Sequence, residues 1–128
     1  MKTFGRAGVP SAQFDLRIRF GYHVTVAIWD TREELRLAIG AIKQRLDGCF
    51  DPRTRRGRLF GCLHLCRPAL DLGTLAHELK HVFFTFERDV ATRRFRDEHA
   101  FSEAMATEFE RCLLALQSHI AEEMRLAS

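Results

Sequence analysis

Long apolar runs are missing from this 128-residue chain. No stretch approaches the ~20 residues that a membrane-spanning helix needs. The opening, MKTFGRAGVPSAQF, has neither an apolar core nor a cleavage signature, so no signal peptide is expected. Cysteine is sparse: Cys49, Cys62, Cys66 and Cys112 are the only ones, and no two stand in a C-x-x-C spacing. That usage fits a reduced, cytoplasmic protein whose thiols act as small buried hydrophobes. Trp and Tyr occur once each against eleven Phe, which implies a core packed with phenyl rings. Neither charge sign is in great excess, and a net charge of +3 is too small to argue for a nucleic-acid partner by itself. There is no internal repeat, no low-complexity tract and no shift in composition, so residues 1–128 are expected to form one domain.

What is present reads as α+β. Phe14 to Phe20 alternates apolar and charged residues, the period of a half-buried strand. Gly21-Tyr22 can turn the chain, and the β-branched run His23 to Trp29 predicts a second strand. Thr31 with Glu33 and Glu34 can cap a helix. Leu35, Ala38, Ile39, Ile42 and Leu46 then recur at helical spacing, predicting an amphipathic helix over 31–46 that Gly48 ends. DPRTRRGR, residues 51–58, is a basic, turn-rich loop. It reads as a solvated connection, or as a contact for an acidic partner or phosphates. No aromatic lies within it to stack on bases, which argues against nucleic acid. LFGCLHL, residues 59–65, predicts a third strand with Cys62, His64 and Cys66 on one face. A helix follows from near Thr74, then a polar connector over 87–97, then a long helix from about Asp97 to Leu126.

The chemistry is carried by TLAHELKHVF, residues 74–83, which contains His77-Glu78-Leu79-Lys80-His81, an H-E-x-x-H. Residues four apart share one face of a helix, so both imidazoles can reach one zinc ion at roughly 2.0–2.1 Å. Glu78 sits one step round, where a general base for an activated water belongs. A catalytic zinc needs three protein ligands and one open position. The candidates for the third are at the start of the last helix: Asp97, Glu98, His99 and Glu103. A helical projection puts Glu98 at the head of the apolar face containing Phe101, Met105 and Cys112, and Glu103 on the far side. A carboxylate on an apolar stripe is costly unless paired or bound to metal. Glu98 is therefore the preferred third ligand; its competing role is to complement the helix dipole.

LGTLAHELKHVFF resembles the active-site helix of zincin metallopeptidases, and a glutamate on the next helix resembles the gluzincin arrangement. The resemblance covers about residues 59–116. It departs from the large gluzincins, because Ala-Met-Ala-Thr follows Glu103 where they carry N-E-x-x-S-D, and it lacks the H-x-x-G-x-x-H extension of metzincins. The resemblance implies a small zincin-like fold, with a short, mainly antiparallel sheet of about three strands. That sheet would pack on an N-terminal helix, the motif helix and a long C-terminal helix. It implies peptide-bond hydrolysis with a Zn2+ cofactor held by His77, His81 and Glu98, with Glu78 as base and a peptide or protein as substrate. It also implies that strand 59–65 is an edge to which an extended peptide adds. Tyr22, His23, His64, His99 and His119 are possible in type as oxyanion donors. Two other readings stay open: a zinc-binding module that cuts little, and a partner-binding α+β domain built on the basic loop.

Overall fold

The computed structural model describes residues 8–40, 46–95 and 97–127. Among them the chain runs β1 (Ala12–Arg17), β2 (His23–Trp29), α1 (Arg32–Ile39), β3 (Gly48–Asp51), β4 (Leu59–Cys66), α2 (Leu72–Asp89) and α3 (Glu98–Ala127). The architecture is α+β, with three helices on one four-stranded mixed sheet of order β1-β2-β4-β3. β1 pairs antiparallel with β2 and β3 antiparallel with β4, while β2 and β4 run parallel.

The sheet separates two apolar layers. Val24, Val26 and Ile28 of β2 and Leu63 and Leu65 of β4 face α2 and α3, and meet Leu79, Val82, Phe86, Cys112 and Leu116. The opposite face carries Ala27, Trp29, Cys62 and Cys66, over which Leu35 of α1 packs. Cys62, His64 and Cys66 thus share a face as their spacing requires, but as packing residues. Burial pushes the Cys62 thiol up to about 12. His64 accepts the Trp29 Nε1–H at Nδ1 over 3.0 Å. A buried neutral thiol and an occupied imidazole are poor metal donors, which need a thiolate and a free ring nitrogen.

Several expected boundaries move. The first strand ends at Arg17, not Phe20. Residues Arg19–Gly21 form a 3-10 turn with Phe20 at φ 65°, ψ 25°, left-handed backbone that a residue with a Cβ seldom adopts. The helix expected over 31–46 stops at Ile39. Thr31 caps its start by accepting from the Glu34 amide at 3.1 Å, and Gly40, at φ 76°, ends it. Residues 41–45, including Ile42, lie outside the described residues. Gly48 is not a helix stop but the first residue of β3. That strand was not expected: it is only four residues long, begins on a glycine and stops before a proline. It takes the sheet's edge, so β4 is interior, paired on both sides, and cannot accept an added strand. Much of the expected connector over 87–97 is ordered, since α2 runs to Asp89 and a 3-10 turn covers Ala91–Arg94. No helix among the described residues is long and apolar enough to cross a membrane.

Candidate metal and catalytic site

Helix α2 is started by Asp71, whose carboxylate accepts from the Thr74 amide at 3.1 Å and the Thr74 hydroxyl at 2.9 Å. Leu75, Leu79, Val82, Phe83 and Phe86 bury its inner stripe. That rotation leaves His77 and His81 outward and turns Glu78 inward: the side chain of His77 is 69% exposed and that of Glu78 8%. The two imidazole rings stand edge to face with centroids 4.9 Å apart. Their Nε2 atoms approach to 3.3 Å. Two nitrogens each ~2.05 Å from a tetrahedral zinc are separated by about 3.3 Å. The pair therefore has the spacing of two corners of such a site; without a metal the same spacing suits one N–H···N bond.

Glu78 Oε2 lies 4.0 Å from His77 Nε2. Its side chain rests on Gly48 of β3, so closely that a Cβ there would come within 2.7 Å of Glu78 Cγ. Burial pushes the Glu78 carboxyl above its ordinary value; His77 and His81 pull the other way, and Asp47 adds to the rise. A cleft of about 470 Å³ opens between α2 and β3, lined by Gly48, Cys49, Phe50, His77, Glu78, His81 and Arg88 among others. A second, of about 440 Å³, continues past His77 to Asp47, Asp71 and Thr74.

Those two aspartates are the nearby carboxylates that sequence reasoning missed, and both are engaged. Asp71 caps α2, and Asp47 holds Arg32 at 2.7 Å. Cys49, also missed, is held protonated, chiefly by burial. Asp47 and Cys49 reach the cleft through β3 and its flank, the one strand with no legible signal, and Asp71 reaches it at the start of α2.

Glu98, expected as third ligand, is the first residue of α3 and is exposed. It lines a different cleft, of about 960 Å³, between α2 and α3, together with Glu103, Lys80, Phe84 and Glu87. Phe84 borders both this cleft and the histidine cleft. The projection that put Glu98 on the buried stripe assumed that α3 packs from its first turn. Its buried positions instead begin at Met105 and include Glu108, Cys112, Leu116 and Ile120. The carboxylate on the stripe is Glu108, which Arg111 neutralises through bonds of 2.7 and 3.0 Å. Among the described residues, no three His, Cys, Asp or Glu side chains are gathered closely enough to hold a metal ion.

None of the oxyanion candidates lines the histidine clefts. Tyr22 packs on Phe60 and Phe86, His64 is bound to Trp29, and His119 stacks on Phe14. Comparison with family models, curated proteins and solved structures finds no match to this chain.

Proposed function

We propose that this chain is a zinc-dependent metallopeptidase. The observation that carries the reading is the 3.3 Å separation of His77 and His81 Nε2, with a buried carboxylate beside them. A zinc ion held there would supply a Lewis acid and acidify a bound water. His77 and His81 supply two ligands. Glu98 is the proposed third and Glu103 its alternative; both line the neighbouring cleft that Phe84 also borders, so the site is complete only if the start of α3 closes over Phe84 towards the pair.

The chain's own groups account for the proton and the peptide. Glu78 accepts a proton from the attacking water and returns it to the leaving amine, a task suited to a carboxyl whose proton affinity burial raises above the ordinary carboxylate value. β3 presents the open edge of the sheet beside the histidines, where an extended peptide can add by main-chain hydrogen bonds. Gly48 keeps that edge close to Glu78.

Metal analysis and cleavage together test the reading. Purified protein is expected to carry about one zinc, lost in His77→Ala and in Glu98→Gln and kept in Glu103→Gln. Cleavage of an unstructured protein is expected to fall by about 10²–10⁴-fold in Glu78→Gln with zinc retained. Absence of zinc, or equal cleavage by both proteins, overturns the proposal. Zinc binding with no cleavage by either leaves a zinc-binding module. Loss of zinc in Glu103→Gln alone exchanges the third ligand.

A further inference from the structure

Seven of the described arginines hold a carboxylate at 2.7–3.0 Å. Arg19, Arg56, Arg58, Arg93 and Arg94 hold none among the described residues, and all five are exposed. They come from three separate segments that the fold gathers around Phe20. The Arg19 guanidinium lies 5.4 Å from the Phe20 ring and 5.6 Å from Phe95. Arg94 lies 4.9 Å from Phe20. Arg58 lies 4.8 Å from Tyr22 and donates to the Phe20 carbonyl at 3.3 Å. Arg56 and Arg93 flank these three along the chain. Asp89, beside this cluster in sequence, is already held by Arg55 and Arg88.

The basic loop has no aromatic of its own, but the fold lays its Arg55 on Phe60 and its Arg58 on Tyr22, beside Arg19 and Arg94 on Phe20 and Phe95. Guanidinium planes laid on rings lose little further freedom when they bind, and their N–H forks match phosphate oxygens. The Phe20, Tyr22 and Phe95 rings are half-buried beneath the arginines. The exposed large hydrophobics, Val9, Leu37, Leu72, Phe84, Leu114, Met124 and Leu126, lie on other segments. Nothing on this face would insert into a bilayer, which favours a sugar–phosphate backbone over a lipid surface.

We infer that the arginine face formed by residues 19–22, 55–58 and 93–95 binds the phosphate backbone of a nucleic acid without reading its bases. The face shares no residue with the clefts around His77 and His81, so it is independent of the zinc reading.

Fluorescence anisotropy with a labelled single-stranded oligonucleotide tests it, across salt concentrations. Five phosphate contacts at about 0.7 each give a log–log salt slope of about −3.5, or roughly 100-fold weaker binding at 200 mM than at 50 mM salt. Arg19→Gln/Arg94→Gln is expected to reduce the slope by about 1.4 and the affinity by tenfold or more. Arg19→Lys/Arg94→Lys should keep the slope, and circular dichroism checks that each variant is folded. Arg36→Gln/Arg125→Gln removes the same charge elsewhere and should bind within about twofold of wild type. Binding that falls equally in both Gln pairs reduces the effect to net charge and overturns the proposal. So does a lack of binding at 50 mM salt, or binding only to phosphatidylserine–phosphatidylcholine vesicles. His77→Ala should bind the oligonucleotide as wild type does, whatever becomes of its zinc.

Discussion

At Gly48 the absence of one methyl group positions a carboxylate. A Cβ there would stand 2.7 Å from Glu78 Cγ, 3.0 Å from its Cδ and 3.1 Å from the His64 carbonyl oxygen. Gly48→Ala must therefore push Glu78 aside or lift β3. We expect a loss of about 1–3 kcal/mol in urea unfolding and a fall in cleavage larger than any fall in zinc content. Glu78 itself carries a pH signature. Burial raises its folded value above the ordinary 4.5. Between those two values the folded protein holds a proton that the unfolded chain has released, so stability falls as pH rises through that window. Glu78→Gln abolishes the effect. The metal-free wild type should lose stability relative to Glu78→Gln between pH 4 and pH 8, read from urea midpoints; a constant difference would exclude burial as the cause.

Among the elements, α3 shows how a buried charge is tolerated. Glu108 is 7% exposed on the core face, and its partner Arg111, half-exposed, also donates to the Arg17 carbonyl at 2.7 Å. Arg111→Met would strand the carboxylate. Because the arginine is partly solvated, the expected cost is about 1–3 kcal/mol, below that of a fully buried pair. Adding Glu108→Leu should restore most of it in thermal melts, and no recovery would mean that the Arg17 contact carries the effect. The same helix marks the limit of sequence reading. Motif geometry was legible because His77, Glu78 and His81 lie within one turn of helix, where spacing alone decides direction. The second and fourth strands were legible from their β-branched and apolar runs. The four-residue β3 was not, nor was the parallel pairing of β2 with β4, since both depend on partners distant in sequence. Glu98 and Glu108 were exchanged for a related reason: a helical projection orders residues around an axis but does not say where the helix meets its neighbour.

Over the whole molecule, ligand binding and stability are linked. A zinc ion bound only by the folded chain, at 100 times its dissociation constant, adds about 2.7 kcal/mol. For a domain of this size that is a rise of about 10 °C in melting temperature. Calorimetry with zinc and with chelator should show this rise in wild type and lose it in His81→Ala; a shift that persists in the variant would place the ion elsewhere. Charge is also unevenly laid out. The net +3 masks a surplus of arginines at one face and of glutamates beside the α2–α3 cleft that make no ion pair among the described residues. The parallel pairing of β2 with β4 has a consequence in time. β1 and β2 meet across a short turn, whereas β4 must find β2 across about 30 residues, a slow closure. The two imidazoles come together as soon as α2 is helical, but Glu78 is seated only when Gly48 takes its place opposite Leu65. Refolding followed by stopped flow should therefore show α2 helicity ahead of recovered cleavage, because the helical turn that pairs the imidazoles forms before the strand that seats the carboxylate.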